Sequence, residues 1–174
     1  MSDPAADSPP LQWPLTPPTI VRTEGVERRA NSRALKYWKE IAAPKAFPTR
    51  GQITAATAGD LWDHLFIVEV TPVPTQYKFE LAGAVLIAAL GRDPTGETVA
   101  TAIPGGMGTR TLFFQQAAVG LKGPVDDAGS WTRADGVQIL YRSILLPLSD
   151  DQQTVNYLLG AFSFRPVTTA AAAG

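Results

Sequence analysis

The sequence predicts one α+β domain, on three observations. A length of 174 residues suits a single hydrophobic core. Two short segments alternate apolar with polar residues before residue 85, and two long segments rich in Ile, Leu, Val, Tyr and Phe follow residue 136, so strand patterns stand at both ends of the chain. Between and before them lie apolar positions at helical spacing.

Taken in order, residues 1–20 carry Pro4, Pro9, Pro10, Pro14, Pro17 and Pro18, too many for a helix or a central strand. Residues 1–30 therefore read as a flexible tail, with Leu11, Trp13 and Leu15 as groups that could dock on the domain. Asn31-Ser32 offers a helix cap, and Leu35, Trp38 and Ala42 recur at helical spacing with Tyr37 and Ile41 beside them. This helix ends before Pro44. From Gly51 to Leu65 a loop is expected, with a short helix around Ala58 to Trp62. Phe66, Val68 and Val70 then form one face of a first strand, and Tyr77, Phe79 and Leu81 one face of a second, with Lys78 and Glu80 facing out. Pro72 and Pro74 mark the hairpin turn.

Ala84 to Leu90 is apolar all round and closed by Gly91, which predicts a short buried helix. Asp93-Pro94 suits a new helix start. Thr109 is placed to cap a longer helix through Gln115 to about Val119, with Leu112, Phe113, Gln116 and Ala117 as its apolar face. Ser130 to Arg133 reads as a short strand, and Val137–Leu148 and Thr154–Phe164 as two long ones joined at Ser149–Gln152. In the last strand both alternations are apolar, so both sheet faces need cover. The helices of 84–120 suit one face and the Trp38 helix the other, with Leu35, Trp38 and Ile41 as the covering residues. The domain is thus expected over 31–166, with 167–174 as a second flexible tail.

Composition narrows the chemistry. The chain has no cysteine, which excludes disulfides, thiolate nucleophiles, zinc–cysteine sites and cysteine-linked flavin. With one histidine besides, no cofactor is predicted. Net charge is −1, but Arg22 to Arg50 holds eight basic residues against three acidic ones. This segment reads as a solvated helix face; basic and aromatic residues do not interleave as single-strand binding requires, so no nucleic-acid partner is predicted. Nowhere do about 18 apolar residues run together, so no membrane insertion is predicted. The N-terminus lacks a basic start and an apolar stretch, and the expected location is the cytoplasm.

More specific than the element order is local text: Leu35-x-Tyr37-Trp38, Pro48-x-Arg50, Phe79-x-Leu81-x-Gly83, Gly91-Arg92-Asp93-x-x-Gly96 and Leu146-Pro147-Leu148 occur in succession. Together they resemble PAS_5, a family of small stand-alone bacterial PAS-domain proteins common in alphaproteobacteria. The resemblance covers about residues 30 to 165. It implies a five-stranded antiparallel sheet of order 2-1-5-4-3, helices over one face and the N-terminal helix on the other. It also implies small-molecule sensing or protein contacts in signalling, and places Arg92-Asp93 at the mouth between helices and sheet.

Catalytic and metal readings fare poorly. His64 beside Asp63 reads as a strand-edge residue, and a lone histidine argues against zinc and histidine-ligated haem. No Gly-x-Ser-x-Gly is present. Pro104-Gly105-Gly106-Met107-Gly108-Thr109 lacks the lysine of a P-loop and reads as an entry into a helix. Asp126-Asp127 and Asp150-Asp151 read as turn residues that serve backbone geometry. Arg92, Arg50 and Arg142 either pair with surface carboxylates or reach a ligand, with Arg92 the first choice.

The sequence therefore predicts a cytoplasmic sensory or adaptor module and no enzyme. Its partners would be a signalling protein, a small apolar ligand, or a second copy in a homodimer. The expected pocket lining is Tyr77, Phe79, Leu81, Leu86, Ile87, Leu90, Leu112, Phe113, Ile144 and Leu146, with Arg92 at the mouth. Two alternatives stand: an isomerase- or dehydratase-like enzyme, which needs a buried carboxylate or the His64/Asp63 pair in an apolar cavity, and a purely structural dimerisation module.

Overall fold

The computed structural model describes residues 29–104 and 107–167. Gly105, Gly106 and nearly all of the two expected tails, with Leu11, Trp13 and Leu15, lie outside the described residues. Strands β1 (Leu65–Pro72), β2 (Thr75–Ala82), β3 (Val125–Thr132), β4 (Gln138–Leu148) and β5 (Tyr157–Val167) form one antiparallel sheet in the order β2-β1-β5-β4-β3. The apolar β5 takes the centre, where both faces are covered, and the more polar β2 and β3 take the edges. No helix among the described residues is long and apolar enough to cross a membrane.

Each face has its own core. On one side lies α1 (Arg29–Ala42), whose Ala34, Tyr37 and Trp38 are buried against Leu65, Ile67, Leu146 and Leu159, with Leu35 and Ile41 packed at the margin. The Trp38 indole N–H donates to the Pro147 carbonyl at 2.7 Å, so the largest side chain of the helix buries no unmet donor. On the other side, α3 (Ala84–Leu90), α4 (Val99–Ala102) and α5 (Met107–Leu121) cover an aromatic core that includes Phe66, Tyr77, Phe79, Trp131, Tyr141 and Phe162.

Several local expectations are corrected. Helix α1 starts at Arg29, so Asn31 is not its cap; its Nδ2 donates instead to the Ser143 carbonyl at 3.0 Å. Two 3₁₀ turns, Arg50–Gln52 and Gly59–His64, flank the short α2 (Ala55–Ala58), which Thr54 caps. Asp93 does not open a helix: its Oδ1 accepts from the Thr95 N–H and hydroxyl, closing a turn, and α4 begins six residues later under a Thr98 cap. Helix α5 starts at Met107, ahead of Thr109. Strand β3 begins at Val125, not Ser130, which places Asp126-Asp127 in the sheet.

Two errors of parity move residues between the cores. In β2, Phe79 pairs with Val68 and Leu81 with Ile67, so Glu80 is an extra residue and the strand bulges there. Tyr77 and Phe79 therefore face the aromatic core while Leu81 packs on the α1 side. In β4, Ile139, Tyr141 and Leu145 face the aromatic core, whereas Ile144 and Leu146 face α1.

Candidate functional site

Between the sheet and the helices of the aromatic core lies a cavity of about 40 Å³. Its lining is rich in aromatic rings: Phe66, Phe79, Trp131, Tyr141 and Phe162 from the strands and Phe114 from α5, with Leu86, Ile103 and Leu145 between them. Tyr141 and Phe162 are stacked, with ring centroids 5.5 Å apart. Phe66 is seated directly on Gly160 of the central strand, because a Cβ at that position would fall 1.9 Å from the ring's Cζ. Any other residue at 160 would push this ring towards the cavity or the helices.

Polar groups interrupt the aromatic wall at one corner. Asp127, 8% exposed on β3, accepts the Tyr141 hydroxyl on Oδ2 at 2.8 Å. The phenol reaches it by lying across Gly129, its partner in the ladder, where a Cβ would stand 2.9 Å from the Tyr141 oxygen. Arg110 of α5 donates through Nη2 to the Ala128 carbonyl at 2.8 Å and approaches Asp127 Oδ1 at 3.4 Å, while its guanidinium lies 5.3 Å from the Phe114 ring centre. Burial raises the Asp127 carboxyl above its ordinary range, and the Tyr141 hydrogen bond and the Arg110 charge oppose that only in part. Tyr141 is raised as well, by burial first and then by the Asp127 charge, so it stays a phenol and a donor.

Gln115 and Ser143, both buried, and Thr111 complete the polar lining. Neither the Gln115 Oε1 nor the Trp131 indole N–H has a protein partner among the described residues.

Of the eleven residues expected to form the pocket and its mouth, Phe79 and Leu86 border this cavity. Tyr77 and Leu90 belong to the same core, with Leu112 packed against it. Leu81, Ile144 and Leu146 lie on the α1 side of the sheet. Ile87 is half-buried, and Phe113 points outward, 54% exposed, so neither lines the space. Arg92 is held on the surface by Glu97 and, at 3.5 Å, by the Ala102 carbonyl.

The remaining candidates have structural partners. The His64 Nδ1–H donates to the Phe162 carbonyl at 2.9 Å, and Asp63 is exposed. Arg50 grips Glu80 with Nε at 3.0 Å from both carboxylate oxygens and donates to the Ile53 carbonyl. Arg142 borders a surface cleft with Asn31 and Asp126. Asp151 accepts from the Thr154 and Gln153 amides and the Ser149 hydroxyl, which holds its carboxyl down to about 2. No group of three or more His, Asp or Glu converges as a metal site among the described residues.

Tyr141, Gln115 and Trp131 are not singled out as site residues in the sequence, and Asp127 is read there as a turn residue. The one available signal was Asp127, a carboxylate two positions from a strand glycine and four from a tryptophan of the same parity, so Asp127, Gly129 and Trp131 share a face once the strand is extended back to Val125.

The PAS_5 family, described as a PAS domain, matches residues 26–163 of the chain. Among solved structures the fold is similar to the Rhodobacter sphaeroides LOV protein, at 16% identity over 62% of this chain and 60% of that one, with a TM-score of 0.47. A light-oxygen-voltage domain studied with a flavin analogue matches at 14% identity over 66% and 82%, TM-score 0.47. The N-terminal domain of a diguanylate cyclase with a PAS/PAC sensor from Marinobacter aquaeolei matches at 17% identity over 57% and 93%, TM-score 0.42. The chain thus spans about 60% of the length of the Rhodobacter protein. No curated protein matches the sequence.

Proposed function

The chain belongs to the PAS_5 family of PAS domains, and from that premise we propose that it is a sensory or adaptor module of bacterial signalling. In this reading it works in the cytoplasm, takes a small molecule between its helices and the inner sheet face, and passes the event to a partner protein or a second copy of itself. The observation that carries the reading is the cavity itself: a space between helices and sheet, rich in aromatic rings, with the buried polar side chains of Asp127, Gln115 and Ser143 in its lining.

A flavin, the group studied in one similar structure, does not fit this site. Pockets for cofactor-sized molecules run to about 300–1,000 Å³, against about 40 Å³ here, and the chain has no cysteine to form a covalent adduct. Native mass spectrometry of the full chain after mild purification tests the reading, together with a thermal-shift screen of small molecules. A co-purified molecule, or a saturable stabilisation that Phe79→Trp removes by filling the cavity, is the expected result. A chain that carries nothing and responds to nothing overturns it.

One observation favours a second reading. Asp127 is a buried carboxylate beside an apolar cavity, raised above the ordinary carboxylate range by that burial. This is the feature an isomerase- or dehydratase-like enzyme would need. Turnover of any screened ligand, lost in Asp127→Asn with binding retained, would establish that reading in place of the first.

A further inference from the structure

The two unmet polar groups of the cavity are complementary. Gln115, 2% exposed, presents an acceptor at Oε1; Trp131, 6% exposed, presents a donor at its indole nitrogen; both border the same space. Buried polar atoms in folded proteins are almost always hydrogen-bonded, so a free acceptor and a free donor on one cavity mark where an occupant bonds. The neighbouring charges are already matched. Asp127 takes the Tyr141 hydroxyl and faces Arg110, so the two charges offset each other, although the buried Arg110 Nε–H has no partner among the described residues. Phe66, Phe79, Tyr141 and Phe162 on the sheet side and Phe114 on α5 present aromatic surface to the space.

We infer that the cavity selects an uncharged, planar ligand whose edge carries an N–H beside a C=O, the amide or lactam class. The ligand N–H donates to Gln115 Oε1 and its carbonyl accepts from the Trp131 indole N–H. This rests on the small-molecule reading above and adds the ligand's chemistry. Size narrows it further: about 40 Å³ exceeds the roughly 10–15 Å³ that one water needs and falls short of the ~150 Å³ cavity that takes benzene. A primary amide of a few heavy atoms suits the space as it stands, and a single ring enters only if the walls part.

The test is a titration of the ¹⁵N-labelled full chain with acetamide, 2-pyridone, benzene and benzoate, read at the indole N–H resonance of Trp131, which Trp131→Phe identifies by its loss. Acetamide or 2-pyridone should move that resonance saturably, benzene should leave it in place, and benzoate should not bind. Gln115→Met, similar in size and apolar, should weaken the amide probes roughly tenfold. If benzene binds as well as 2-pyridone, or benzoate binds best, the amide selection is wrong while the small-molecule reading stands. Binding by none of the four overturns the selection, and the mass spectrometry above then decides the broader reading separately.

Discussion

Two tryptophans, one on each face of the sheet, show how differently the two cores are built. Trp38 projects from α1 into a core of mostly aliphatic side chains, with its indole N–H on the Pro147 carbonyl. Trp131 lies among stacked aromatic rings, and its indole N–H meets no protein acceptor among the described residues. One face pairs its large polar handle, and the other leaves a handle free beside a cavity. The difference teaches where packing is complete: the α1 face closes on its own polar group, and the opposite face leaves a space beside an unmet one.

Four experiments would break or sharpen that contrast. The largest effect is expected from Trp38→Ala, which removes a buried indole and its hydrogen bond; large-to-small changes of this kind cost about 3–5 kcal/mol, a large part of a typical domain's roughly 5–15 kcal/mol. Urea denaturation measures it, and a cost under about 1 kcal/mol would mean that α1 is a detachable arm. Next is Gly160→Ala on the opposite face. The new methyl would displace the Phe66 ring, at about 1–3 kcal/mol, as overpacking typically costs, and should alter ligand response at the same time.

A smaller effect is expected from pH. Burial raises the Asp127 carboxyl in the folded state, so the fold binds that proton more tightly than the unfolded chain does. Its contribution is full below the ordinary carboxylate pKa and is lost as pH rises through the raised folded value. Melting temperatures of the wild type relative to Asp127→Asn should therefore fall as pH rises across this range. A difference that stays flat would show that Tyr141 and Arg110 fully offset the burial. The smallest effect belongs to Trp131→Phe: a donor without a partner is removed and an aromatic ring kept, so stability should change by less than about 1.5 kcal/mol. A loss equal to that of Trp38→Ala would erase the distinction between the faces.

The parts legible in the sequence were those in which one physical signal dominates. Trp38, Leu35 and Ile41 lie on a helix with clear spacing, and the two apolar alternations of β5 announced that both faces are covered. The family text, from Leu35-x-Tyr37-Trp38 to Leu146-Pro147-Leu148, lies within the matched span. The cavity was less legible because β4 is apolar at almost every position, so alternation does not say which of Ile144 and Leu145 turns inward. Helix α5 is similarly apolar round its circumference, and its spacing chose Phe113 and Gln116, which are exposed, beside Leu112, which does pack on the core, where the fold buries Gln115 and Ala118. Asp126-Asp127 looked like a turn because paired aspartates usually are; here a tyrosine from the neighbouring strand supplies the donor that lets one of them face inward.

The bulge at Glu80 bears on how this chain tolerates insertions and deletions. Glu80 stands opposite no residue of β1, and its neighbours Phe79 and Leu81 already point to opposite faces. Excising it would turn β2 into a regular ladder with every other side chain on its present side, whereas excising Lys78 would invert the residues before it. The shorter strand would give up one thing, the carboxylate that Arg50 grips from the 3₁₀ turn on the α1 side. A one-residue gap at this position is therefore the length change that β2 can absorb, provided that turn finds another anchor.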